Sequence, residues 1–180
     1  MPDGTFAVEV ATPERQLLAG RARAVVARSS EGDFTVLAGH APLVADVVPG
    51  ALRVDQPEGS ALFCVHGGYL QVDRTSPEEA ADLGTAGETR VTVLGAVAER
   101  AEEIDVERAE RARDAAQSAL AELGASPGPG PRTGGGGEGE ADEEAGSAVR
   151  AAERERRRLE AALARAETRL AVAAGARARP

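Results

Sequence analysis

The side chains of this sequence that could take part in chemistry are one thiol, two imidazoles, scattered carboxylates and a large set of guanidiniums. The thiol, Cys64, stands two residues before His66; the other imidazole, His40, lies in the run Gly39-His40-Ala41-Pro42. A lone cysteine forms no internal disulfide and gives no metal cluster, and it reads as a small buried apolar residue on a strand. His40 sits among the residues of a tight turn, with Pro42 fixing φ and Gly39 available for a strained conformation. Neither histidine shows clustered ligands in the sequence. Asp46, Asp73 and Glu31 are available as carboxylates, but no spacing draws them together. No Ser or Cys has a His–acid pairing, so nucleophilic catalysis has no support. No catalytic residue and no metal ligand is assigned.

The guanidiniums say more. All 21 basic residues are Arg, and there is no Lys. A phosphate-binding loop of the GxxxxGK[ST] kind needs its lysine, as does Schiff-base chemistry, and both are excluded. The net charge of −9 disfavours nucleic acid as a partner. Aromatic residues make up only 2%, too few rings for recognition of sugars or bases by stacking. The charge is also uneven. Residues 1–147 hold 12 Arg against 26 acidic residues, whereas 148–180 hold 9 Arg against 4. A cationic end on an acidic body points to an acidic partner, or to an internal one. No basic-then-apolar leader is visible, and no apolar run approaches the roughly 18–20 residues that span a bilayer. A cytoplasmic protein is expected, with any membrane association made through partners.

The elements that must carry these groups change character along the chain. Phe6, Val8 and Val10 alternate with Ala7 and Glu9, the period of a half-buried strand. Ala22, Ala24 and Val26 alternate with arginines and Val25 in the next segment, and Phe34–Leu37, Leu52–Val54, Leu62–Val65, Tyr69–Val72 and Arg90–Val97 follow. Short strands with turn residues between them predict a sandwich or barrel of about ten strands over residues 1–98. Gly67-Gly68 marks a bulge or a close backbone approach. From Asp105, a natural N-cap, the spacing of Ala109, Ala112, Ala116, Ala119 and Leu123 predicts a helix, which with its lead-in occupies 99–123. Residues 124–147 are Gly-, Pro- and Glu-rich and are expected to be a disordered insert. A second helix is expected from about Ser147 to Ala174 within 148–180, with Leu159, Leu163, Ala166, Leu170 and Ala173 as its apolar seam. The fold class is therefore α+β: a β domain, then two helices able to form an antiparallel hairpin across a long flexible linker.

Three segments resemble the epsilon subunit of F-type ATP synthases (delta in mitochondrial naming). EGDFTVLAGHAPLVADVVPG, residues 31–50, is similar to the family's G-x-x-x-[IV]-L-x-G-H-x-P-x-[LV] run with its closing P-G turn. VHGGYLQV, residues 65–72, is similar to V-x-G-G-[FY]-x-x-V, and VTVLGAVAERAEEIDVERAERA, residues 91–112, ends in the family's I-D-x-x-R-A. The segments stand in the family's order and spacing, and the likeness covers about residues 3–123.

The resemblance implies a non-catalytic rotor subunit on the cytoplasmic face of the cell membrane, attached only through its complex. The sandwich would dock on the gamma subunit and on the polar loops of the c-ring, coupling proton-driven rotation to the central stalk. The hairpin would lie folded on the sandwich or extend toward the catalytic alpha/beta head and inhibit ATP hydrolysis. On that reading Arg154, Arg156, Arg157, Arg158, Arg165 and Arg169 of the second helix meet acidic groups of the head, where the planar guanidinium suits carboxylates. No cofactor is required, but in some bacterial members ATP binds the folded hairpin. The matching residues here are Glu99, Ile104, Asp105 and Arg108, with Ala109; Asp105 reads equally as a plain cap and Arg108 as a solvated charge. Further basic residues for a nucleotide do not align, and Ala115 and Ala116 stand where an arginine would help. The 24-residue insert departs from the family's short turn. The alternative from the residues themselves is a free-standing sandwich with a coiled-coil arm that binds an acidic partner.

Overall fold

The computed structural model describes residues 4–74, 88–125 and 140–177. Ten strands form two five-stranded sheets. The first sheet has the order β2-β1-β9-β8-β5, from β1 (Phe6–Ala11), β2 (Gln16–Ala22), β5 (Leu43–Val47), β8 (Gly68–Arg74) and β9 (Thr89–Gly95). The second has the order β10-β7-β6-β3-β4, from β3 (Ala24–Ser29), β4 (Gly32–Leu37), β6 (Gly50–Gln56), β7 (Gly59–Val65) and β10 (Ala98–Arg100). Neighbouring strands run antiparallel except β1 and β9, which are parallel.

The alternation read in the sequence is what packs the two sheets face to face. Phe6, Val8 and Val10 of β1, Leu70 and Val72 of β8, and Val91 and Val93 of β9 point inward from the first sheet. Val25, Ala27, Val36, Leu52, Val54, Phe63 and Val65 meet them from the second. With so few rings, aliphatic side chains close the core around Phe6 and Phe63.

The segment around Ala22 differs from the expectation of one strand. The chain leaves the first sheet after Ala22 and enters the second at Ala24, so the buried phase shifts to Val25 and Ala27. Arg23 sits exposed at the crossing and donates its backbone N–H to the Asp55 carbonyl at 2.7 Å. β2 and β5 escape the alternation rule because both are edge strands with mixed exposure. The run from Arg90 also divides, since β9 ends at Gly95 and the chain returns as β10 against β7. The sandwich thus continues past residue 98, and a single 3-10 turn, Ala101–Glu103, follows.

At Gly67-Gly68 the chain passes from β7 to β8, from one sheet to the other. A Cβ on Gly68 would collide with the Leu94 carbonyl oxygen and lie 2.9 Å from the Gly95 Cα. Only hydrogen fits between those strands.

The remaining chain forms two helices, α1 (Val106–Ala125) and α2 (Glu140–Arg177). The chain divides into two compact units: 1–104 together with 168–180, and 105–167. In the second unit Asp105 caps α1, its Oδ1 accepting the Arg108 N–H at 2.9 Å while its carbonyl accepts from Ala109 at 3.0 Å. The buried stripe of α1 carries Ala109 and Ala116, but Ala112 is exposed and Arg113 and Leu120 share the stripe instead. A 3.6-residue period drifts off a fixed three-four ladder, which accounts for the difference. α2 is longer than expected. Its helix begins at Glu140, inside the span read as disordered, because the Ala- and Glu-rich stretch there has high helix propensity. Gly124 and Ala125, also inside that span, belong to α1, and the remaining residues, 126–139, lie outside the described residues. Leu159, Leu163, Ala166, Leu170 and Ala173 are each at least half-buried, as the seam requires.

Candidate functional site

The first unit presents two features with chemical character. One is a polar cluster where β7, β10 and the last turns of α2 meet. Cys64 and Glu99 are direct cross-strand partners in the β7–β10 register, and His66 follows Cys64 by two residues. Cys64 Sγ lies 3.5 Å from His66 Nε2, which lies 3.9 Å from Glu99 Oε1. Arg169 Nε of α2 donates to the same Glu99 oxygen at 2.5 Å. The His66 side chain is only 3% exposed. Burial, reinforced by the nearby Glu99 charge and opposed by Arg169, pushes the Cys64 thiol up to about 11. The expectation that neither histidine has clustered ligands is corrected for His66: a thiol, an imidazole and a carboxylate converge within 4.8 Å. A signal was present in the sequence, since residues i and i+2 of an extended chain face the same side. The carboxylate, 33 residues onward, could not be placed without the sheet register.

Near the cluster, the last turns of α2 lie over the outer face of the second sheet. A cavity of about 490 Å³ there is lined by Val26, Ala51, Arg53 and Leu62 from strands and by Thr168 and Val172 from α2, among others.

The other feature is an apolar strip on the outer face of the first sheet. Tyr69 and Leu94 are cross-strand partners and are 63% and 55% exposed, and Val44 on β5 is 68% exposed. A shallow apolar recess of about 340 Å³ continues it past Ala11, Pro13 and Ala96. A sequence reading that tracks only the inward phase misses this strip, although Tyr69 stands visibly out of phase with Leu70 and Val72.

The residues singled out in the sequence are distributed as follows. Glu99 lies on β10 and is held by Arg169; Ile104 is buried after the 3-10 turn; Asp105 is the α1 cap; Arg108 is exposed on α1. Arg154, Arg157 and Arg165 are exposed, while Arg156 and Arg158 pair with Glu160 and Glu155 along their own helix. Arg169 departs from this outward set, since it is spent on Glu99. The Gly39–Pro42 run is a turn: Gly39 takes φ +83° and donates to the buried Thr89 Oγ1 at 2.8 Å, and the His40 N–H closes on the Leu37 carbonyl at 3.1 Å. The His40 ring Nδ1 lies 2.8 Å from the Ala41 carbonyl oxygen, a local contact that fits a structural role.

A two-sheet sandwich with its Gly-Gly corner and a two-helix C-terminal region defines a class, and comparison with known proteins gives it a family. The profile described as "ATP synthase, Delta/Epsilon chain, beta-sandwich domain" matches residues 5–77. The ATP synthase epsilon chain of Desulforudis audaxviator is 37% identical over 121 residues, covering 67% of this chain and 78% of that protein. That of Thermobifida fusca is 38% identical, covering 61% and 73%. A sodium ion specific epsilon chain from Propionigenium modestum is 33% identical, covering 66% and 77%. A chain of the mitochondrial ATP synthase of Euglena gracilis, solved by cryo-EM, shares the fold with a TM-score of 0.60 at 21% identity, covering 98% of this chain and 82% of that one. The chain belongs to the epsilon chain family of F-type ATP synthases. It is accordingly a non-catalytic stalk subunit of a membrane-associated complex. No helix among the described residues is long and apolar enough to cross a membrane.

Proposed function

We propose that the sandwich docks on the gamma subunit and the polar loops of the c-ring, coupling proton-driven rotation to the central stalk, and that the two helices restrain ATP hydrolysis. The complex would hold the chain peripherally at the cytoplasmic face of the membrane. The observation that carries the docking is the strip of Val44, Tyr69 and Leu94. Large apolar side chains are exposed together on a sheet whose inner face is already satisfied, and such a strip is the mark of an interface. The brake rests on the outward arginines of α2, which suit acidic groups of the alpha/beta head. No cofactor is needed. ATP, as a regulatory ligand of Glu99, Ile104, Asp105 and Arg108, would have to displace Arg169 from Glu99 and dispense with the Asp105 carboxylate that caps α1.

Co-purification with the cognate gamma subunit tests the docking. A stable complex is expected for the native chain and loss of gamma for Tyr69→Asp with Leu94→Asp, at unchanged circular dichroism. Retention of gamma by that double variant would remove the strip from the interface. Titration with a fluorescent ATP analogue tests the ligand, with saturable binding that Arg108→Ala weakens as the expected result.

A further inference from the structure

The Cys64, His66 and Glu99 cluster lies at the β7–β10 edge of the second sheet, whereas the docking strip lies on the first, and the cluster's three donor atoms all fall within 4.8 Å of one another. In tetrahedral zinc coordination, with Zn–S about 2.3 Å and Zn–N about 2.0–2.1 Å, the sulfur–nitrogen edge is about 3.5 Å. Cys64 Sγ and His66 Nε2 are 3.5 Å apart. The nitrogen–oxygen edge of such a site is about 3.4 Å, and the 3.9 Å between His66 Nε2 and Glu99 Oε1 closes with a small turn of the carboxylate. The three donors come from the end of β7, the residue after it and the strand paired with it. Their backbone positions are therefore fixed by sheet hydrogen bonds, as a preorganised site requires. A thiolate, an imidazole and a carboxylate together select a borderline-soft divalent ion over calcium or magnesium.

We propose that Cys64, His66 and Glu99 form a three-ligand site for a divalent ion of the zinc class, and that Arg169 is the cation competing with it for Glu99. The guanidinium now supplies the positive charge against Glu99 Oε1. An entering ion takes that oxygen, Arg169 swings toward solvent, and the Cys64 thiol gives its proton to solvent as the metal–sulfur bond forms. Water completes the fourth position. Glu99 and Arg169 are partly exposed where His66 is not, so the ion enters past them. Because Arg169 belongs to α2 and Glu99 to β10, occupancy of the site decides whether this tether of α2 to the sandwich is made.

Cobalt titration of the untagged, chelator-treated full-length chain tests the site. One equivalent of Co²⁺ should produce a thiolate-to-cobalt charge-transfer band with the intense visible bands of a tetrahedral ion, both displaced by Zn²⁺. Cys64 is the one cysteine of the sequence, so the charge-transfer band by itself identifies the sulfur ligand. Glu99→Gln should weaken Zn²⁺ binding by about tenfold. Arg169→Ala should tighten it by about fivefold, since the competing charge is gone. Absence of the charge-transfer band in the native chain overturns the proposal, whatever the variants do. Weaker binding in Arg169→Ala overturns the competition while the site itself stands.

Discussion

At the scale of single residues, positions of little chemical ambition set how the chain folds. Asp105 is the first of them: its carboxylate occupies an otherwise orphaned N–H of α1. Asp105→Ala should lower stability by about 1 kcal/mol, read as a loss of helical circular dichroism that precedes the sandwich transition on heating. Gly68 is the second. Any side chain there strikes the backbone of β9, so Gly68→Ala should cost about 3 kcal/mol, while Gly124→Ala, in open space on α1, should be neutral or mildly stabilising. A third is the Arg15–Glu103 pair, where a hydrogen bond from Arg15 holds the Glu103 carboxyl below the usual carboxylate range. A carboxyl whose pKa falls on folding stabilises the fold above its unfolded pKa, about 4.3, and that contribution is lost as the pH drops through the folded value. Arg15→Ala should therefore lower the melting temperature slightly at pH 7, with the difference from the native chain shrinking as the pH is taken below the usual carboxylate range, measured by calorimetry. Both partners are exposed, so the effect is small.

At the scale of elements, the strands and α2 carry different kinds of information. The inner faces of β1, β8 and β9 were legible because one side of each is buried and the other is not, which forces period two into the sequence. β10 was not, because three residues hold too little pattern and its place is fixed only by the β7 register. α2 combines two roles that its arginine-rich composition blurs together. Arg154, Arg157 and Arg165 face solvent, while Arg169 is committed to Glu99. Replacing Arg154, Arg157 and Arg165 by Gln should leave the melting curve within error and relieve inhibition of ATP hydrolysis in the reconstituted complex. Arg169→Gln should instead loosen the last turns of α2, seen as faster amide exchange over residues 168–177. An unchanged hydrolysis rate in the first variant would take the outward arginines out of the brake.

At the scale of the whole molecule, the two compact units divide the chain against its own order, since residues 168–180 group with the sandwich rather than with the rest of α2. Removing 124–180 should therefore do two separable things. The hydrolysis rate of the alpha–beta–gamma complex should rise, and Cys64, which is buried and should react slowly with thiol reagents at pH 8 in the full chain, should react faster once the Arg169 side of its cluster is opened. The sequence by itself determined the sandwich, the α1 cap, the Gly-Gly corner and the family, because each is a local pattern: alternation, a capping carboxylate, a glycine pair, a run of motif residues. What it could not contain is adjacency between distant positions. That Cys64 faces Glu99 and Arg169, that Tyr69 stands beside Leu94, and that the end of α2 returns to the sandwich follow from strand register and packing, which no local spacing encodes. Only the tertiary structure brought those side chains within a few ångströms, and the chemistry proposed for the cluster exists at that distance alone.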